Sequence, residues 1–147
     1  MRMRFAFHRF YLGAAFAMLL MAFPAAARAE VVARISLSAQ EMVVYIDGMP
    51  RYDWPVSTAR PGYRTPKGSW RPTRMHRMWY SKKYDNAPMP NAIFFLGGYA
   101  VHGTPHIRSL GRPASHGCVR LHPDNARMLF QIVAANGMQN TRIEITQ

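Results

Sequence analysis

The sequence predicts a mainly β domain with one or two helices and a long lid-like loop. Three observations carry that expectation. After residue 29 the chain breaks into short β-branched and aromatic runs separated by turn residues. One segment near the C-terminus places apolar residues at helical spacing. Between them lies a proline- and aromatic-rich stretch with neither period. With 147 residues the chain is long enough for one domain and short for two. A composition 49% hydrophobic and 18% charged excludes a disordered chain and a polytopic membrane protein. A single cysteine excludes a disulfide framework and multi-cysteine zinc or iron–sulfur sites.

Residues 1–29 read as an address and not as fold. Arg2, Arg4 and Arg9 precede an uncharged, mostly apolar run from Tyr11 to Phe23, and Ala27-Arg28-Ala29 offers an A-x-A cleavage site. The expected cut lies between Ala29 and Glu30, leaving residues 30–147 as the domain. A membrane anchor would need about 20 apolar residues. No cysteine lies near the cut, which argues against a lipid-anchored protein. The expectation is a secreted monomer in the periplasm or cell-wall space, with no membrane span after cleavage.

The formal charge is +12, from 19 basic and 7 acidic residues. The leader holds four of the arginines and no acid, so the domain keeps +8. Charge of this kind favours association with polyanions such as anionic lipid or wall polymer. Lys82-Lys83 is the only adjacent basic pair in the domain, so no nucleic-acid stripe forms and no nucleic-acid partner is expected.

Each element is legible in turn. Val31 to Ser38 alternates in part, and Glu41 to Ile46 is β-branched and aromatic. Asp47-Gly48 is a hairpin turn signal, and Asp53 to Thr58 resumes an extended pattern, giving an antiparallel meander. From Arg60 to Asn91, Pro61, Pro66, Pro72, Pro88 and Pro90 are mixed with Tyr63, Trp70, Trp79, Tyr80 and Tyr84. This is expected to be irregular apart from one strand, Gly68 to Arg74, and to form a lid or binding wall. Ala92 to Leu96 and Tyr99 to His102 are short strands about Gly97-Gly98. Pro123 suits a first helical position and Asp124 the positive end of the dipole. Ala126, Leu129, Phe130 and Val133 share one helical face, and Gly137 supplies a stop. Thr141 to Ile145 closes as a strand.

The chemistry gathers between residues 102 and 122, in the order His102, His106, His116, Cys118, His122. One reading is nucleophilic catalysis. A thiol is mostly protonated near neutral pH, and a nearby imidazole takes its proton. In Ser115-His116-Gly117-Cys118 the thiol would sit at a tight bend, Gly117 would let the backbone approach a substrate, and the Cys118 amide would help form an oxyanion hole. Adjacency alone would name His116 the base. A second reading is a His/Cys metal site. His102 and His106 have helical spacing, but Pro105 and the preceding strand pattern oppose a helix. A third is an inert buried cysteine with surface histidines.

At this point the residues resemble a family. Val101 to Leu121, VHGTPHIRSLGRPASHGCVRL, is similar to the signature of the L,D-transpeptidase catalytic domain: His102-Gly103, a spacer, then Ser115-His116-Gly117-Cys118-Val119-Arg120. Upstream, Thr65-Pro66-Lys67-Gly68 resembles the family's Thr-Pro-x-Gly segment. The resemblance covers essentially all of residues 30–147. Ala59-Arg60 departs where many members carry a glycine, which bears on a turn shape only. No peptidoglycan-anchoring module is visible, so wall targeting is expected to rest on the domain and its charge.

The resemblance implies a β-sandwich-like fold and a mechanism without metal or cofactor. Cys118 would be the nucleophile. His102 would be the base, oriented by a backbone carbonyl, that of Gly103. His116 would assist in the same site. Peptidoglycan tetrapeptide stems would be the substrates: the thiol displaces terminal D-alanine, and an amine of a neighbouring stem resolves the thioester into a 3→3 cross-link. A lipoprotein lysine would be another acceptor, and water would make the enzyme an L,D-carboxypeptidase. Carbapenems acylate the family's cysteine. Gly103, Ser115, Gly117 and Arg120 are expected at the substrate; Arg120 suits a stem carboxylate, or else pairs with Asp124. His106 and His122 are expected in an exposed loop and at a helix start. A non-catalytic wall- or metal-binding module is the competing class.

Overall fold

The computed structural model describes residues 27–147. The expected leader, apart from residues 27–29, lies outside the described residues. In chain order the strands are β1 (Val31–Ser36), β2 (Glu41–Ile46), β3 (Met49–Pro55), β4 (Gly68–Trp70), β5 (Arg74–Ser81), β6 (Ala87–Leu96), β7 (Tyr99–Gly103), β8 (Val119–Leu121) and β9 (Thr141–Thr146). The α-helix α1 (Pro123–Asn136) joins β8 towards β9, and short 3-10 turns cover Ile107–Ser109 and Met138–Asn140. One sheet has the order β3-β2-β1-β9-β4 and the other β5-β6-β7-β8. The result is the mainly β fold the sequence predicts and the two-sheet form the resemblance implies, with one α-helix among the described residues where one or two were expected.

The meander forms as expected, with a shifted third strand. Asp47 and Gly48 both take positive φ, 51° and 76°, the geometry of a tight two-residue hairpin turn. Such a turn leaves no spare residues, so pairing resumes at once with Met49 opposite Ile46. The strand therefore ends at Pro55 and not at Thr58. Ser57 and Thr58 are released to bond elsewhere, as described below. β9 lies parallel to β1, Val31 opposite Thr141, and carries β4 on its other edge. The strand expected over Gly68 to Arg74 is two strands, broken around Pro72.

The stretch expected to be irregular is mostly a hairpin. β5 and β6 pair from Arg74 opposite Phe94 to Ser81 opposite Ala87. Pro88 and Pro90 sit inside β6, opposite Tyr80 and Met78. They are tolerated because β6 meets β7 only from Ile93 onward, so this part has a neighbour on one side. Arg77 and Asn91 drop out of the ladder, and Asn91 has φ 52°. The lid is thus a two-stranded arm and not a loop.

Both sheets and the helix share one core. Val31, Ala33, Ile35, Met42, Val44, Ile143 and Ile145 meet Ile93, Phe95, Val101, Val119 and Leu121. α1 adds Ala126, Leu129, Phe130 and Val133, the face expected from their spacing. Pro123 starts the helix, His122 caps it by accepting the Asp124 N–H, and Gly137 ends it.

Candidate active site

The alternation of β7 and β8 divides core from site. These strands pair in parallel, Val101 opposite Val119, His102 opposite Arg120 and Gly103 opposite Leu121. Opposed residues face the same side, and successive residues face opposite sides. Val101, Val119 and Leu121 enter the core. His102 and Arg120 face away, and Cys118, two residues before Arg120, takes their side. All three, with His116, border a cleft of about 1030 Å³ between the sheet and the β5–β6 arm.

The bend that carries Cys118 is held by bonds from Ser115 within it and from Ser57, Thr58 and Thr65 outside it. The buried Ser115 hydroxyl donates to the Cys118 carbonyl (2.6 Å) and accepts the Gly117 N–H (3.0 Å). Its capacity is spent inside the bend, which fits shaping and not attack. Ser57 exchanges two backbone bonds with Arg120 (3.0 and 2.9 Å), and the Ser115 N–H donates to the Thr58 carbonyl (2.8 Å). Thr65 donates its hydroxyl to the Gly117 carbonyl (2.8 Å) and accepts the Ala59 N–H (3.0 Å). Gly117 has φ 131°, and a side chain there would meet Tyr99 at 2.7 Å and the Arg64 carbonyl at 2.9 Å. Only glycine fits that crease. Gly117 therefore lies against protein, and so does Gly103, whose absent side chain would touch Pro90, Pro123 and Ala126.

His102 is buried and its Nδ1 lies 2.7 Å from the Gly103 carbonyl oxygen. A carbonyl only accepts, so Nδ1 carries the proton and Nε2 is left as an acceptor. Burial, opposed by the Gly103 hydrogen bond and aided by the Arg120 charge, lowers the His102 pKa to about 4. The ring is therefore neutral at neutral pH, with its basic nitrogen free. Burial raises the Cys118 thiol pKa, against the lowering effects of an Ala100 backbone hydrogen bond and the Arg120 charge. The pair rests as thiol and imidazole, the starting state for general base catalysis.

His116 occupies another place in the cleft. Its ring stacks on Tyr84 at 4.3 Å and takes the edge of Tyr63 at 4.7 Å. Desolvation, then Arg60 and Arg120, lower its pKa. Arg60 in turn lies over Tyr63 at 4.8 Å. Arg120 is half-buried, and among the described residues it makes no ion pair with an acid. Asp124, its expected alternative partner, pairs instead with Arg127 (2.8 Å). That leaves the Arg120 guanidinium, held by a 3.4 Å bond to the Ala114 carbonyl, beside the thiol for an anionic ligand.

His106 is exposed on the cleft wall and His122 caps α1, both as expected. Among the described residues no three His, Cys, Asp or Glu side chains converge in a metal-binding group. In the sequence Thr65 stands out only within the Thr-Pro-x-Gly motif, and Ser57 and Thr58 only as the end of an extended run, none of them with a role at the site. The motif signals Thr65 alone; the partners of all three are more than fifty residues away and have no local trace.

Comparison with known proteins gives the family. The YkuD family profile, described as an L,D-transpeptidase catalytic domain, matches residues 30–145. "Putative L,D-transpeptidase YqjB" of Bacillus subtilis is 28% identical over 119 residues, 72% of this chain and 65% of that protein. "Probable L,D-transpeptidase ErfK/SrfK" of Escherichia coli is 28% identical over 115 residues, 63% of this chain and 36% of that protein. The chain thus spans about two thirds and about one third of the length of these two relatives. Among solved structures, an L,D-transpeptidase from Mycobacterium smegmatis superposes with a TM-score of 0.72 at 24% identity, covering 81% of this chain and 59% of that one. The LD transpeptidase LdtMt1 in complex with imipenem gives 0.71 at 26% identity, covering 80% and 59%. With a family match across nearly all the described residues and a two-sheet fold to go with it, the chain belongs to the YkuD family of L,D-transpeptidase catalytic domains.

Proposed function

We propose that this protein is a cysteine-dependent peptidoglycan L,D-transpeptidase. The observation that carries the reading is the shared face of β7 and β8, where Cys118 borders the same cleft as a neutral His102 whose Nδ1 is committed to the Gly103 carbonyl. In this reading the Cys118 thiol gives its proton to His102 Nε2, and Sγ attacks the carbonyl of the stem's third residue. The tetrahedral intermediate collapses to a thioester, and His102 returns the proton to the departing D-alanine amine. An amine, typically of a neighbouring stem's diaminopimelate, gives up a proton to His102 and attacks the thioester. The new amide is the 3→3 link, and the thiol is regenerated. A lipoprotein lysine would resolve the thioester in the same way.

Arg120 binds a carboxylate of the stem beside the thiol, and Ser115 and Gly117 hold the bend that presents it. The imipenem complex of LdtMt1 supports extending carbapenem acylation to Cys118. Export to the periplasm or cell-wall space follows from the leader-like residues 1–29.

Mass spectrometry of the purified protein with disaccharide-tetrapeptide stems tests this, with Cys118→Ala alongside. The expected product is a cross-linked dimer lacking one D-alanine, made by the wild type only. Tripeptide alone would make the protein a carboxypeptidase. Product formed equally by Cys118→Ala would overturn the thiol mechanism.

A further inference from the structure

The arm places one tryptophan where the proposed chemistry has no use for it. The break in pairing at Arg77 and Asn91 reverses the side on which successive β5 residues emerge, as irregular ladders do beside functional sites. Arg74 and Phe94, on the cleft side before the break, are joined there by Trp79 after it. Without that break Trp79 would emerge on the back of the arm, and Met78 and Tyr80 would face the cleft in its place. Its ring meets Phe94 edge-on at 5.5 Å and His76 at 4.8 Å, and Arg74 lies 5.8 Å from it. It is nonetheless 37% exposed. A large aromatic ring braced on three neighbours and still open to the cleft is suited to recognition.

Its position selects the ligand. Cys118 packs on the apolar cluster that includes Phe94, and Trp79 is one ring further out. The sheet order puts three strand intervals between β8 and β5, about 14 Å at the usual spacing. A donor stem has three residues between the attacked carbonyl and its sugar, about 11 Å when extended, before the link to the sugar is added. The two lengths match. Sugar rings present a face of C–H groups with slight positive charge, complementary to the negative face of an indole. The Arg74 guanidinium alongside supplies donors for hydroxyl and acetamido oxygens.

We infer that Trp79, with Arg74 beside it, is a sugar-stacking subsite that holds the amino-sugar strand bearing the donor stem. This rests on the function proposed above. The wall substrate is then read at both ends, by Arg120 near the thiol and by Trp79 at the glycan.

The test compares kcat/KM for D-alanine release from a disaccharide-tetrapeptide and from the free tetrapeptide of the same sequence. The wild type is expected to prefer the disaccharide form. Trp79→Ala should lower its kcat/KM on that form about tenfold while leaving the free tetrapeptide unchanged, which also shows that the variant is folded. Trp79→Tyr should retain most of the preference. Equal losses on both substrates, or a wild type without preference, would overturn the subsite. So would a loss confined to the amine-transfer step, which would assign the wall to the acceptor. If the wild type consumed neither substrate, the proposed function would fall. Quenching of tryptophan fluorescence by an N-acetylglucosamine tetrasaccharide, present in the wild type and absent in Trp79→Ala, would then still support the subsite, and its absence would overturn it.

Discussion

Two histidines lie close to Cys118 in the chain or in space, and their surroundings give them different work. His102 has one nitrogen committed to a carbonyl and the other free, inside a buried site. His116 is clamped between two tyrosines. His102→Ala is therefore expected to lose about 100-fold or more in kcat, and His116→Ala to keep measurable turnover. Single-turnover assays of the two variants decide it; a dead His116→Ala beside an active His102→Ala would reverse the assignment. The pH profile follows from the same residue. With His102 as the proposed base, activity needs its ring unprotonated, and burial lowers its pKa to about 4. The acid limb of kcat/KM should fall near that value and not near 6.5. Cys118 should alkylate slowly at neutral pH and faster above the ordinary thiol range, because burial raises its pKa.

At the scale of elements, the loop before β8 acts as a unit with the segment from Ser57 to Thr65. Four hydrogen bonds cited above cross between that segment and the stretch from Ser115 to Arg120, and most of those groups are buried. A crease at Gly117 lets the loop pass under Tyr99 and the Arg64 carbonyl. Gly117→Ala adds a methyl group at 2.7 Å from one and 2.9 Å from the other, at φ 131°. The loop must then move, carrying Cys118 with it. The expected result is a protein that still melts cooperatively but whose thiol no longer forms the acyl-enzyme with imipenem. Intact-mass measurement after incubation reads this directly; wild-type acylation would show that the crease does not position the thiol. Across the cleft, the β5–β6 arm reaches the same loop through Tyr84 on His116, so the two elements together wall the site.

For the whole molecule, the buried imidazole couples function to stability. Unfolding restores His102 to an ordinary pKa near 6.5, so between that value and about 4 the unfolded chain binds the extra proton. The stability associated with keeping the ring neutral is fully present above pH 6.5 and is lost as the pH falls towards 4. The shift corresponds to about 3 kcal/mol. Denaturant unfolding of the wild type should therefore weaken over that window, and His102→Gln should flatten the dependence. An unchanged slope in the variant would place the acid sensitivity elsewhere.

What the sequence determined by itself was local. The helix was readable because Ala126, Leu129, Phe130 and Val133 recur with the helix's own period, and Pro123 and Gly137 act on the adjoining backbone. β1, β2 and the Asp47-Gly48 turn after β2 were readable from neighbouring residues in the same way. The motif residues were legible because a thiol bend and a histidine-glycine pair are short strings. Tertiary structure decided the rest. Pro88 and Pro90 looked like loop residues, yet they lie in a strand because one of its sides is empty there. Trp79 faces the cleft because of a break opposite Asn91, which no periodicity announces. Thr65 and Ser57 reach the bend across more than fifty residues, and Asp124 pairs with Arg127 on its own helix and not with Arg120. Periodicity is set by neighbours along the chain. Pairing, exposure and charge partners are set by which distant segments share a buried surface, and the residues themselves carry no record of that choice.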